Sequence, residues 1–326
     1  MKYAQLPCEA TRLLPFYLAM EEYVATVSSD DIFFTWQVEP TVIFGRNQLV
    51  EAEVNTDYCR SKGINFFRRK SGGGCVYADK GNIMLSYVVN SIEPATDAMR
   101  RYASLTAGAL RELGVNAEVS GRNDVAVDGK KISGFAVHQL HNRVIVHSTM
   151  LYDFDPENME KAIRPSELKL NSKGVDSVRS HVTSLSRCGI KLDIPAFIAY
   201  LRNYMCGDEV LSLSPDDERR IALKAEPYFD NDWLYGKNPR SEFITSGRFD
   251  GIGEFQVQIH TSGNNITHFV LAGDYFGRPD AADIIESALR GRPFDPESVA
   301  QAVDKVNLPE LIPGFTRQNL LQLIFK

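Results

Sequence analysis

Three consecutive glycines, Gly72, Gly73 and Gly74, stand at the centre of RRKSGGGCVYADKGN (68–82). Such a triplet favours neither helix nor strand. It presents backbone N–H groups with no side chain in the way, a surface on which an anion or a flat ligand can lie. Arg68, Arg69 and Lys70 add charge that fits phosphate or carboxylate. A flexible surface turn beside a solvated basic run is the competing reading. A second stretch, GRNDVAVDGKKISGFAVHQ (121–139), sets Asn123 and Asp124 where a strand begins. Asp124 offers the hard oxygen that suits Mg²⁺, or belongs to an Asn-Asp turn. In DGKKISG, strand alternation turns one of Lys130 and Lys131 inward. An ammonium so aimed stabilises charge developing on an α-phosphate and an attacked carboxyl. Otherwise both lysines are solvated hairpin residues. His147 lies on the alternating run VIVHSTMLY, where packing is the commoner role. GVDSVRSHVTSL (174–185) gathers Arg179, Ser180, His181 and Thr183, with no spacing that demands chemistry.

Several classes are excluded. No G-x-x-x-x-G-K-[ST] loop is present, because Gly129-Lys130 is followed by Lys131 and Gly236-Lys237 by Asn238. No G-x-G-x-x-G follows a strand. A net charge of -6 argues against a general nucleic-acid binder, and the short basic run suits a small anion. Cys8, Cys59, Cys75, Cys188 and Cys206 form no C-x-x-C pair and no zinc-ligand spacing, so free thiols in a reducing cytosol are expected. Pro7, Glu9, Arg12 and Pro15 interrupt the N-terminal segment, which does not read as a signal peptide. No run of about 18 apolar residues exists, so no membrane span is expected.

The elements that must hold these groups read as follows. Pro15 opens a helix through FYLAMEEYVATV. Strands follow at 32–38 and 41–45. NTDYCRSKG (55–63) is a short helix with Asn55 as N-cap and Gly63 as its stop. INFFRR is a strand that leads into the glycine loop, and MLSYVVN (84–90) is another. A helix spans 98–114, and Asp128-Gly129 marks a hairpin turn between short strands. RVIVHSTMLY (143–152) alternates like a half-buried strand. Helices are expected near 156–163, 193–205 and 216–225, and a linker over 229–242. A hairpin of EFQVQIH and ITHFVLAGD and three further helices make a second unit. The fold class is α+β, with domains over 1–245 and 246–326, since strands and helices mix without a regular βαβ rhythm.

Together the ordered motifs FGRN, RRKSGGGCVYADKGN, GRNDVAVDGKKISG, VHSTML and KGVDSVRSHVTSL resemble those of the lipoate–protein ligases. DWLYG (232–236) and GIGEFQVQIH…GDYFG look like that family's linker and small accessory domain. The resemblance implies a biotin/lipoate ligase fold: a mixed β-sheet catalytic domain with a C-terminal α/β domain. It implies a cytoplasmic enzyme that joins lipoate to AMP from MgATP. The lipoyl group then passes to a lysine of a lipoyl domain, on E2 subunits of 2-oxoacid dehydrogenases or on the glycine cleavage H protein. On this basis Arg69, Ser71, Gly72, Gly73 and Gly74 would hold lipoyl-adenylate. Gly74, Cys75, Val76 and Tyr77 would line the ATP side. Lys131 would be catalytic, contacting carboxyl and α-phosphate. Asn123 and Asp124 would sit near phosphate, with Asp124 on Mg²⁺. His147, with Arg69 and Gly74, would border the lipoate pocket. Ala78 stands where the family often has His, and Cys75 where Ala is common. Two rivals remain. An ATP-independent octanoyl or lipoyl transferase of the same fold would need a cysteine nucleophile, and none lies in 130–150. A biotin ligase would need a GRGR-type loop, which is absent.

Overall fold

The computed structural model describes residues 1–164, 181–235, 243–262 and 265–325. Pro15 has no N–H to lose and a φ already set for helix, so it suits the first turn of the helix Leu14–Val27. Twelve of that helix's fourteen residues are buried, including Glu21 and Glu22. It is therefore a core helix rather than a surface one.

The strands, in chain order, are β1 (Lys2–Gln5), β2 (Ile32–Trp36), β3 (Thr41–Phe44), β4 (Asn65–Arg68), β5 (Val76–Ala78), β6 (Asn82–Asn90) and β7 (Ala117–Ser120). They continue with β8 (Asp124–Val127), β9 (Lys130–Leu140), β10 (Arg143–Leu151), β11 (Val210–Ser212), β12 (Phe243–Phe249), β13 (Gly253–Ser262) and β14 (Asn265–Tyr275). Eight form one mixed sheet in the order β11-β1-β2-β6-β10-β9-β8-β7. A small sheet, β4-β3-β5, carries the glycine loop between β4 and β5. A third sheet, β12-β13-β14, belongs to the C-terminal unit.

Each face of the large sheet has its own core. Met99, Tyr102 and Leu110 of the helix Ala95–Glu112 and Phe197 and Leu201 of the helix Ile194–Cys206 pack on Tyr87, Phe135 and Val146. Leu14, Leu18 and Tyr17 of the helix Leu14–Val27 pack on Phe34, Trp36, Met84 and Ile145 of the other face. Burial of so many large side chains on both faces is the main stabilising term and fixes the sheet as a platform.

The α+β expectation holds. The Asn55 side chain accepts the N–H of Tyr58, and Gly63 ends that helix at φ +65. Asp128 and Gly129 both take positive φ in the β8–β9 turn. Three expectations are corrected. β10 is buried at every position, not half-buried, because helices cover both sheet faces. β9 is one strand of eleven residues rather than two short ones. Within the stretch read as a linker, Asn231–Tyr235 is helical. The edge strand β12 (FITSGRF), which sequence reading missed, pairs with β13 from Phe243 onward. Residue 245 therefore falls inside a strand of the third sheet. Most of GVDSVRSHVTSL and the latter part of FDNDWLYGKNPRSE lie outside the described residues.

Candidate active site

β8 and β9 set the position of Lys131. It pairs with Ala126 across the hairpin at a register shift, and its carbonyl accepts the N–H of Thr183 at 2.9 Å. Its side chain crosses Gly134 and ends with Nζ 2.7 Å from Asp124 Oδ1. Both side chains are largely covered, at 21% and 17% exposed. Asn123 is fixed beside them, its Nδ2 donating to the Phe135 carbonyl at 2.6 Å.

The basic run dissolves into three separate anchors. Arg68 lies fully buried and donates to the carbonyls of Arg46 at 2.9 Å, Trp233 at 2.9 Å and Leu234 at 2.9 Å. Lys70 pairs with buried Glu22 at 2.7 Å. Arg69 is the keystone of the glycine loop. Its Nη1 donates to Ile43 O at 3.0 Å, and its Nη2 to the carbonyls of Gly72 and Gly74 at 2.8 Å each. Its Nε donates to Ser71 Oγ at 2.9 Å. Burial pulls the Arg69 pKa down to about 10, so it remains a cation at neutral pH.

The loop is also wedged between other backbones. A Cβ on Gly45 would meet the Gly73 carbonyl at 2.2 Å, and one on Gly72 would meet the Tyr275 carbonyl at 2.3 Å. These close approaches demand glycine and account for the glycine of FGRN. Tyr275 O accepts the Gly73 N–H at 3.2 Å. That amide is engaged by the C-terminal unit, against the expectation of a bare donor.

Loop and lysine border one cavity of about 460 Å³. Leu14, Leu18, Trp36, Ile43 and Met84 give it an apolar end. Gly73, Gly74, Cys75, Val76, Asn123, Asp124 and Lys131 supply polar wall. His147 and Arg69 also reach it. Arg100, Arg122, Arg248 and Asp274, together with the Gly251–Gly253 turn, also line it, as do Ser148 and Thr149 of β10. Mixed apolar and cationic walls suit a ligand with a hydrocarbon arm and an anionic head.

Of the expected site residues, Ser71, Gly72 and Tyr77 do not line the cavity. Ser71 is 1% exposed and bonds His147 Nε2 at 2.7 Å. Gly72 packs on Tyr275. Tyr77 alternates onto the opposite face of β5, where it joins the cluster of Val42, Phe44 and Cys59.

Sequence reading missed Glu21, Trp36, Thr149 and the arginines at 100, 122 and 248. Two of these had a signal: adjacent glutamates in an otherwise apolar helix, and the arginine of GRND. Arg122 joins the two units. It donates to the Ile252 carbonyl and, at 3.2 Å, to Asp274 Oδ1, and its guanidinium lies 4.5 Å from the Phe276 ring centroid. His147 Nδ1 lies 3.0 Å from Glu21 Oε2. His138, on the same face, is pulled down to a pKa of about 4 by burial.

A mixed eight-stranded sheet bearing a lysine, and a small sheet carrying a glycine loop, meet at one basic cavity beside a C-terminal unit, which defines the class of a two-unit α+β protein with a site for a small anionic ligand. The comparisons give the family. Residues 15–206 match the lipoyl protein ligase A/B catalytic domain, and residues 238–324 match the bacterial lipoate protein ligase C-terminus. A lipoate-protein ligase of Bacillus subtilis is 31% identical over 94% of this chain and 96% of its own length. The fold matches P. falciparum LipL1 solved with lipoate, at a TM-score of 0.79 and 19% identity over 99% of this chain and 97% of that one. It also matches a lipoate-protein ligase A bound with ATP, at a TM-score of 0.61 and 23% identity over 72% and 99%. The chain belongs to the lipoyl protein ligase family.

Proposed function

We propose that this protein is an ATP-dependent lipoate–protein ligase, which activates lipoate as lipoyl-AMP and transfers the lipoyl group to a lysine of a lipoyl domain. One observation carries the reading. The ammonium of Lys131 and the loop residues Gly73–Val76 border the same cavity as an apolar cluster around Trp36. Relatives named lipoate-protein ligase and neighbours solved with lipoate or ATP support it.

The chemistry explains the arrangement. A carboxylate does not acylate an amine at neutral pH, because its leaving group is poor. Adenylation supplies a good one, and the mixed anhydride must then be kept from water. The hydrocarbon arm of lipoate lies along Leu14, Leu18, Trp36 and Met84. Its carboxylate meets Lys131. A fixed ammonium at that point stabilises the negative charge that gathers on carboxyl and α-phosphate oxygens, without reorganisation. Arg100, Arg122 and Arg248 supply cations for the remaining phosphates.

Among the described residues no cluster of three or more His, Cys, Asp and Glu is assembled for a metal. Mg²⁺ in nucleotide sites takes one or two carboxylates and phosphate oxygens, and Asp124 would supply such a carboxylate from the cavity wall. There the ion would neutralise phosphate charge. E2 lipoyl domains and the glycine cleavage H protein are the proposed acceptors, and the cytoplasm the proposed compartment. Among the described residues no helix is long and apolar enough to cross a membrane. The catalytic unit ends ahead of β12, which pairs with β13 and so falls with the accessory unit, slightly before the boundary expected at 245.

The ATP-independent transferase is disfavoured. Cys188 donates to the Ser184 carbonyl outside the cavity, and burial pushes its thiol up, away from a reactive thiolate; Cys75, which does line the cavity, stands beside the glycine loop rather than in 130–150. Mass spectrometry of a lipoyl domain incubated with the protein, lipoate, ATP and Mg²⁺ tests the proposal. A gain of one lipoyl group that requires ATP supports it, and an ATP-independent or absent gain refutes it.

A further inference from the structure

The helix Leu14–Val27 brings two adjacent carboxylates into the core, Glu21 and Glu22, at 3% and 5% exposed. Glu22 is matched by Lys70 at 2.7 Å and by the Tyr228 hydroxyl. Glu21 meets different groups. It accepts the Ser86 hydroxyl at 2.6 Å, and Ser86 Oγ accepts Trp36 Nε1–H at 2.9 Å. It faces His147 Nδ1 at 3.0 Å. With Nδ1–H donated to that carboxylate, the neutral form of the imidazole offers Nε2 as its acceptor. Nε2 then takes the Ser71 hydroxyl at 2.7 Å. Ser71 Oγ in turn accepts Arg69 Nε–H at 2.9 Å. The same guanidinium holds the carbonyls of Gly72 and Gly74.

Hydroxyl, imidazole and carboxylate in this order resemble a hydrolase triad. Two facts exclude a nucleophilic serine. Ser71 is 1% exposed, and it does not line the cavity where a substrate would meet it; Arg69 Nε–H also engages one of its two lone pairs. The chain of bonds instead runs from the apolar end of the cavity, where Trp36 and His147 stand, to the glycine loop.

We propose that Glu21 is a positioning residue for adenylation, acting through His147 and Ser71 to fix the Arg69 guanidinium and with it the glycine loop. The inference rests on the ligase reading for its kinetic consequence and on geometry alone for its structural one. Each bond in the relay leaves the next donor a single acceptor, so one imidazole tautomer and one loop conformation are selected.

The test uses the full chain, with Glu21→Met, Glu21→Gln and Ser71→Ala. The parent shows His147 as a single Nδ1–H tautomer in ¹⁵N spectra. Glu21→Met loses it, and lipoate-dependent ATP–pyrophosphate exchange falls about 10- to 100-fold in kcat, with the lipoate KM within about threefold, as expected for a loop displaced by up to an ångström. Glu21→Gln, which keeps an oxygen for Nδ1–H, restores the tautomer and most of kcat. Ser71→Ala lowers kcat by a similar factor with the tautomer intact, and the double variant is no worse than either single one. A kcat within twofold of the parent in Glu21→Met or Ser71→Ala, or additive losses, overturns the proposal. If Glu21→Met does not fold, Ser71→Ala decides by the same criterion. The tautomer is read without turnover. A parent inert toward lipoate and ATP therefore sinks the ligase reading, whereas a tautomer unchanged in Glu21→Met sinks the relay.

Discussion

A single methyl group at residue 134 separates the proposed catalytic role of Lys131 from its structural one. A Cβ built on Gly134 would stand 2.4 Å from Lys131 Nζ and 2.7 Å from Cε, with Asp124 Oδ1 at 3.6 Å. Gly134 lies on β9 outside the positive-φ region, so alanine is tolerated by the backbone. The clash falls on the tip of a flexible side chain, which yields at small cost to stability. To reach ordinary contact distance the ammonium must retreat by about 1 Å, and a misplacement of that size costs on the order of 10²-fold in rate. We expect Gly134→Ala to lower lipoate-dependent ATP–pyrophosphate exchange by about 10²-fold, with a thermal midpoint within about 3 °C of the parent. Exchange within twofold of the parent would refute the reasoning, because the ammonium would then be free to leave its place without consequence.

Lys131→Ala should lower adenylation by about 10²–10³-fold with little change in stability, read from the same exchange assay and a thermal melt. Gly72→Ala forces the Tyr275 carbonyl off the loop, since 2.3 Å is far inside contact distance. Small-angle scattering should show the C-terminal unit displaced, and an unchanged profile would contradict the wedge. In His138, whose folded pKa is about 4 against an ordinary 6.5, burial disfavours the charged form. The unfolded chain takes up this proton first as pH falls, so stability present above pH 6.5 is lost between about 6.5 and 4, by roughly 2–3 kcal/mol. Urea midpoints at pH 7 and 4.5 check this, and His138→Gln should remove that share of the loss.

Local chemistry made much of the fold legible. Asn55 and Gly63 bounded a helix, Asp128-Gly129 a hairpin, and Pro15 a helix start, because each acts on backbone within a few residues. The three glycines and Lys131 were visible for the same reason. The fate of Arg68-Arg69-Lys70 was not, since the partners Trp233, Leu234, Ile43 and Glu22 lie far away in sequence. A run that reads as a solvated basic patch became two buried arginine anchors and a half-buried lysine paired to Glu22. β10 was misread because period-two alternation reports one covered face, and here helices cover both. β12 was missed because its serine and glycine dilute the strand signal. The contribution of Arg248, Gly251–Gly253 and Asp274 to the cavity came from the C-terminal unit, whose placement no local pattern encodes.

The most direct test is a crystal structure of the protein with a non-hydrolysable lipoyl-adenylate analogue, such as the acyl sulfamate. The account predicts Lys131 Nζ within about 3 Å of an oxygen of the acyl-phosphate mimic, with Gly73–Val76 against its other side and the dithiolane among Leu18, Trp36 and Met84. An analogue bound away from the loop, or a Lys131 still resting on Asp124 without touching it, would contradict the account.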